Sequence, residues 1–317
     1  MTARPLTIGL PVYNGERFIE KAVESILGQT FADFSLVVSD NASTDRTVEI
    51  LEGYAAEDER LIILRSEANR GAAWNYNRVF AECRTPYFKW AAADDMLAPT
   101  CVERCLDVLT ASPPSVVLAY PRTCAIDEAG NPIGVLVDSL AMRPDAPVHA
   151  RLRRVVAKVL WGNVVFAVIR TDALRRTRLH GSYPTSDHVL LAELALIGSF
   201  VEVPELLFLR RQHADTSRRA NESVADASLW FDPAAEPVTN EWSRIFREHV
   251  AAIERAELSP TERRRVLATF LVTWTVRRAR LNPYVSRARS AVQLRTRARR
   301  LAARVRGDAR ETRYLRG

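Results

Sequence analysis

The sequence predicts an α/β fold built on a mainly parallel sheet, with a helical extension at its C-terminal end. Three observations carry that reading. Short apolar runs of strand length alternate with stretches whose apolar residues recur at helical spacing. The connections between them are short, as in sheets wound from strand–helix units. The residues equipped for chemistry cluster just after the strand-like runs, and parallel sheets bind ligands beyond the carboxyl ends of their strands.

Each element follows from local pattern. Residues 6–10 form a short apolar run closed by Pro11, which suits a buried strand. Over 16–29, Phe18, Ile19, Ala22, Val23, Ile26 and Leu27 fall at helical spacing. Residues 34–39 read as a second strand. Ser43, Thr44 and Asp45 offer helix-start chemistry before Val48 and Leu51. A third strand is expected over 61–64, a third helix over 72–81, and a fourth strand over 87–92 that runs into Asp94-Asp95. Residues 116–120 predict another strand and 127–131 a turn between strands. Helices are expected over 150–160 and 187–197, with a loop and strand over 161–170 between them. Residues 200–211 are strand-like, and Pro204 confines them to an edge or a break. Residues 214–240 turn polar and are expected to form a mobile loop. From 241 to about 306 the pattern is helical, divided into three by Pro260 and Pro283.

The chemically loaded segments, in chain order, are Pro11-Val12-Tyr13-Asn14-Gly15-Glu16, Ser39-Asp40-Asn41-Ala42-Ser43-Thr44-Asp45, Asn69-Arg70-Gly71 and Ala93-Asp94-Asp95. Each stands at a strand end. In this order and spacing they resemble the family 2 glycosyltransferases of the GT-A fold over about residues 6–106, with a weaker likeness over 116–212. The resemblance implies a Rossmann-like nucleotide-sugar-binding domain. It also implies inverting, metal-dependent transfer of a hexosyl or deoxyhexosyl group from a UDP, dTDP or GDP sugar. The acceptor it implies is a hydroxyl of a glycan or lipid-linked molecule, in cell-surface polysaccharide or glycolipid synthesis.

By that resemblance Asp95 is a ligand for Mn2+ or Mg2+, and Asp94 faces the ribose or the donor sugar. Ala93 stands where the family motif has its first acid. A divalent cation held by a carboxylate neutralises the charge that develops on a nucleoside-diphosphate leaving group. Paired acids at a strand end also serve as caps or solvated turns. Asp40 takes the place of the acid that reads the base edge; it too is of capping type, although Asp45 lies nearer the helix. Tyr13 would flank the base, with Pro11, Val12 and Asn14 shaping the pocket. Glu16 would reach the nucleotide, or serve the helix dipole as a first-turn acid. Arg70 would pair with a phosphate or the base, or stand as an exposed loop arginine. Asn75 and Asn77 have a structural reading.

In the second half, Tyr183-Pro184-Thr185-Ser186-Asp187-His188 places Asp187 where the family carries the base that deprotonates the acceptor. Ser186 stands where Glu is commoner, and a helix cap is the alternative. Leu209-Arg210-Arg211-Gln212-His213 resembles the family's late Arg-x-x-His segment, so His213 is read as a metal ligand, which suits a borderline cation such as Mn2+. Trp161-Gly162-Asn163 would line the acceptor pocket.

The organisation expected from this is a glycosyltransferase domain over 1–213, split into a donor half (1–115) and an acceptor half (116–213). A linker follows over 214–240 and a basic helical extension over 241–317. The chain is 47% hydrophobic and 26% charged, a globular composition. No signal-peptide pattern is visible, and the longest uncharged apolar run, 159–169, is about half of a spanning helix. Cys83, Cys101, Cys105 and Cys124 are therefore read as reduced thiols of a cytoplasmic protein. Charge is segregated: residues 277–317 hold fourteen arginines against Asp308 and Glu311, while the rest of the chain is net acidic. Apolar residues interleave with those arginines, which suits an anionic membrane surface and a peripheral position at the cytoplasmic face. The alternatives are a solvated helix face and, last, nucleic acid, since Tyr284 and Tyr314 are the only aromatics there. Two other functions compete. A sugar-phosphate nucleotidyltransferase would carry a Gly-rich basic loop after the first strand, which is absent. A non-catalytic module would tether a partner through the tail.

Overall fold

A computed structural model of the chain describes residues 4–214, 223–234, 236 and 240–280. The elements run β1 (Leu6–Val12), α1 (Ile19–Leu27), β2 (Phe34–Asp40), α2 (Thr47–Glu57), β3 (Leu61–Arg65), α3 (Ala72–Ala81), β4 (Tyr87–Trp90), β5 (Met96–Leu97) and α4 (Cys101–Ala111). There follow β6 (Val116–Ile126), β7 (Pro132–Leu136), α5 (Val148–Lys158), β8 (Val168–Arg170), α6 (Thr171–Arg175), α7 (Ser186–Ile197) and β9 (Ser199–Arg211). The last helices are α8 (Val224–Phe231), α9 (Glu241–Arg255) and α10 (Pro260–Arg280).

One mixed sheet joins the strands in the order β3-β2-β1-β4-β8-β6-β9-β5, with β7 on β6. β3, β2, β1 and β4 are parallel, as are β6 and β9. The short β8 runs antiparallel between β4 and β6 and stitches the two parallel sets into one surface. Alternate side chains feed two cores. Leu6, Ile8 and Leu10 of β1 pack with α1 and α4 on one face, whereas Phe88 and Trp90 of β4 join α3, α5 and α7 on the other. Gly9 points to the second face, and any Cβ there would stand 2.6 Å from Val79 Cγ2, so its absence lets α3 lie close on β1.

Pro11 sits inside β1, a strand with neighbours on both sides, one residue longer than Pro11 itself and two longer than the expected run. The pairing with β4 ends at Gly9↔Trp90. Gly9 and Pro11 face the same neighbour, so the missing N–H falls beyond the last β4 partner and costs no ladder bond. Pro204 interrupts the pairing without ending β9: the β6–β9 register slips between Pro121 and Arg122, opposite Val203 and Leu206.

The polar stretch after His213 contains more order than a mobile loop. Helix α8 is held by a capping box, Ser223 accepting from the Asp226 N–H while the Asp226 carboxylate accepts from the Ser223 N–H. Residues 215–222, 235 and 237–239 of that stretch lie outside the described residues, as does the third C-terminal helix expected beyond Pro283. All four cysteines are buried and unpaired.

Asn75 of α3 donates to the carbonyls of Val12 (3.2 Å) and Ser39 (2.9 Å), the carboxyl ends of β1 and β2. Replacement by alanine leaves two buried carbonyls without this donor. Asn75→Ala should cost about 1–3 kcal/mol, read from the shift of the urea midpoint at unchanged slope.

Candidate active site

The carboxyl edge of the sheet gathers four loops. The loop after β1 and the loop after β2 are stapled together. Asn14 Oδ1 accepts from the Thr44 N–H (2.8 Å), and the Asn14 N–H donates to Ser43 Oγ (2.9 Å). Glu16 Oε2 accepts from the Arg46 N–H (2.9 Å), and the Glu16 N–H donates to Asp45 Oδ2 (3.0 Å). Asp45 also accepts from the Thr47 N–H, so it caps α2 as its position implied. Asn14 and Glu16 are thus engaged in shaping the crevice wall. Pro11 and Val12 are buried beneath it, and Tyr13 projects at its mouth, 46% exposed.

Asp40 is buried and takes the Ser43 N–H at 3.3 and 3.2 Å to its two oxygens. One backbone donor leaves an ionised carboxylate with spare acceptor sites. Asn41 locks the neighbouring turn: its amide donates to Asn69 Oδ1 (2.8 Å) and its carbonyl accepts from the Arg70 N–H (3.0 Å). Arg70 is left exposed, its guanidinium 5.0 Å from the Trp74 ring centroid.

The paired acids divide. Asp94 Oδ2 lies 2.9 Å from His213 Nε2. Asp95 turns inward, buried, and accepts the Arg211 N–H at 2.8 Å. The Arg211 side chain folds over the same turn, donating to the carbonyls of Asp94 (2.8 Å) and Glu128 (2.7 Å). Phe18 packs against the His213 ring at 4.8 Å. Burial and the adjacent Asp94 charge push the Asp95 carboxyl up to about 8. A site that concentrates negative charge in this way fits a cation. Among the described residues no group of three or more His, Cys, Asp and Glu forms a cation cage. A carboxylate and an imidazole suffice where diphosphate oxygens and water complete the shell.

Asp187 comes from the far side, in the first turn of α7. Its Oδ1 accepts from the His188 N–H at 3.0 Å, and no side chain caps the helix in the conventional way. Thr185 before it is left-handed (φ 65°), an uncommon state for a β-branched residue and one that clusters at functional sites. Gly162 makes room for it: a Cβ there would stand 2.1 Å from Asp187 Oδ2, and φ is +71°.

Four more residues complete the arrangement, and of these only Arg210 lies within a motif named above. Asp138, buried, accepts the N–H groups of Leu160 (2.7 Å), Trp161 (3.0 Å) and Asn163 (3.0 Å) and so fixes the loop that carries Gly162. Arg210 ties the same loop through the Trp161 carbonyl (3.1 Å) and Asn163 Oδ1. Burial first, then the charges of Asp94 and Asp95, push the Tyr76 phenol well up, with Arg210 drawing it back and Asp187 adding to the rise. His180 packs on Tyr76 and Trp90, both at 4.9 Å. Asn77 clamps its backbone with two hydrogen bonds, 2.9 and 3.0 Å, and burial pushes the imidazole down to about 4, so it is neutral at pH 7. Its Nε2 is buried and has no hydrogen-bond partner among the described residues.

An open α/β sheet with paired acids at its carboxyl edge and a further carboxylate across the crevice is the arrangement of a sugar-transferring enzyme of GT-A architecture. The chain belongs to Glycosyl transferase family 2, whose pattern residues 7–177 match. It is 34% identical over 126 residues to chondroitin synthase of Escherichia coli, covering 40% of this chain and 18% of that one. It is 31% identical over 120 residues to the putative teichuronic acid biosynthesis glycosyltransferase TuaG of Bacillus subtilis, covering 38% of this chain and 44% of that one. The chain thus spans less than two thirds of the length of either relative. Among solved structures it resembles S. aureus TarS 1–349 in complex with UDP-GlcNAc, with a TM-score of 0.63 and 16% identity over 86% of this chain and 74% of that one. It also resembles the mannosyltransferase PcManGT of Pyrobaculum calidifontis in complex with GDP-Man and Mn2+, with a TM-score of 0.53 and 17% identity over 94% and 86%. At such identities the likeness establishes the fold.

Two substitutions probe this geometry. Gly162→Ala should lower kcat roughly 100-fold by displacing Asp187, while nucleotide affinity in equilibrium titration stays near the parent's. Asp95→Asn keeps the acceptor for the Arg211 N–H and removes the crowded charge. The folded parent binds the Asp95 proton more tightly than the unfolded chain, so metal-free stability falls as pH rises from about 4 towards 8. Melts in chelator should therefore place Asp95→Asn above the parent by a few degrees at pH 8 and level with it near pH 4.

Proposed function

We propose that the chain transfers a sugar, with inversion, from a nucleoside-diphosphate sugar to a hydroxyl of a glycan or lipid-linked acceptor, in the making of a surface polysaccharide or glycolipid. The observation that carries this reading is the Asp94–His213 pair at the carboxyl edge of the sheet, with Asp187 held close against Gly162 at the start of α7. The donor complexes formed by TarS and PcManGT, with UDP-GlcNAc and GDP-Man, support the donor class. The roles of chondroitin synthase and TuaG support the product class.

Each residue then has a task. Tyr13 covers the base, Asp40 accepts its N–H with the lone pairs that Ser43 leaves open, and Arg70 reaches the phosphates from its exposed turn. Asn14 and Glu16 hold the loop that shapes this pocket. Asp94 and His213 would hold a divalent cation such as Mn2+, whose charge offsets that of the departing diphosphate. Asp95 stands behind them as the buried acceptor of the Arg211 N–H, and on this reading Asp94, rather than Asp95, faces the cation. Asp187 takes the proton of the acceptor hydroxyl as its oxygen bonds to the anomeric carbon, and the bond from that carbon to the diphosphate oxygen breaks on the opposite side. Trp161 and the fixed loop around it form the acceptor-side wall.

The test is a panel of UDP, dTDP and GDP sugars with Mn2+ or Mg2+, scored by release of nucleoside diphosphate in the presence of glycan acceptors. Asp187→Asn should lose at least about 100-fold in turnover while still binding nucleotide. Near-normal turnover by that variant would remove Asp187 from the reaction.

A further inference from the structure

Helix α10 is docked so firmly that its outward face is determined. Val266, Phe270 and Trp274 are buried against the body, with Phe246 and His249 of α9 stacked on Phe270 at 5.4 and 5.3 Å. Arg277 donates to the carbonyls of Val156 (2.5 Å) and Val159 (2.8 Å) at the end of α5. The opposite face is apolar and exposed. Ala268, Leu271, Val272, Thr275, Val276 and Ala279 recur at three- and four-residue steps, which places them on one side of a helix. Val272 is 67% exposed, and Leu271 and Val276 are each 43% exposed. Exposed Arg264, Arg265 and Arg278 border this stripe, and no acid occurs from 263 to 280.

We infer that this face of α10 docks on an anionic lipid bilayer. Three arguments select that occupant. The chain continues from Arg280 for 37 residues with eleven arginines against two acids, so a strongly basic stretch of sequence follows the helix that carries the stripe. Residues 1–276 carry 31 basic against 36 acidic residues, so an anionic surface attracts the α10 side and repels the body. A second copy of the chain would bring two sets of arginines together, and the stripe offers no aromatic ring on which a base could stack. Arginine stems also lie along apolar surface while their heads stay in water, which matches a stripe edged by Arg264, Arg265 and Arg278 at a lipid interface.

This inference does not rest on the proposed transfer, because lipid binding is measured without turnover. The full chain is sedimented with vesicles of phosphatidylcholine alone or mixed with phosphatidylglycerol, at low and high salt. The parent should favour the anionic vesicles by at least roughly tenfold and lose that preference as salt rises. The triple variant Leu271→Glu, Val272→Glu, Val276→Glu should weaken binding at least roughly tenfold while its melting curve and donor hydrolysis stay with the parent. A second variant, Arg264→Ser with Arg265→Ser and Arg278→Ser, should weaken the anionic preference. Equal affinity for both vesicle types, or parental binding by the triple glutamate variant, overturns the proposal. So does a preference for RNA homopolymer over vesicles, or vesicle-independent dimerisation abolished by the triple variant.

Discussion

The crevice depends on a single short contact that spans 116 residues of sequence. Asp95 accepts the Arg211 N–H, and the Arg211 side chain closes over the same turn. The turn after β4 is thereby fastened to the end of β9. Without that fastening, His213, two residues further on, has no reason to meet Asp94. A carboxylate is an expensive group to bury, and here it lies beside a second one. The structure holds it where burial and the neighbouring Asp94 disfavour its charged form, a condition that a nearby cation would relieve.

The rest of the sheet serves this edge. β8, only three residues long, lets two parallel sets of strands share one surface, so loops from both ends of the described chain converge. Asparagines do much of the fastening. Asn75 gathers the ends of β1 and β2, Asn41 joins the second loop to the third, and Asn77 fixes His180 beneath the carboxylates. Each crosses between elements where the ladder has ended and backbone groups still need partners. The positive φ of Ala42, Gly162 and Thr185 marks the same region, where backbone conformation yields to the needs of the crevice.

Much of the fold was legible because its elements obey simple periods. The third helix appeared with the bounds expected of it, and each of the first four strands ended within about four residues of the start of a polar motif. What was hidden depends on three-dimensional neighbours. Asp138 is a lone acid in a loop, and its three N–H partners lie 22 to 25 residues away. His180 gains meaning only when α3 is laid beside it, and Tyr76 reads from sequence as an ordinary helix residue. Asn14 and Glu16, expected at the nucleotide, also meet the loop after β2 through their side chains, a neighbour that sequence separation conceals. Helix α8 escaped because a capping box in a polar stretch, rather than apolar periodicity, sets its start.

The central claim is that a cation and a nucleoside diphosphate meet at Asp94 and His213, with Asp95 behind them. Anomalous scattering from crystals grown with a nucleoside diphosphate and Mn2+ tests it most directly. The account predicts one manganese peak bonded to an Asp94 oxygen and to His213, with the diphosphate completing its shell and Asp95 still on the Arg211 N–H. A peak bonded to Asp95 in place of Asp94, or a bound diphosphate with no manganese beside it, would contradict it.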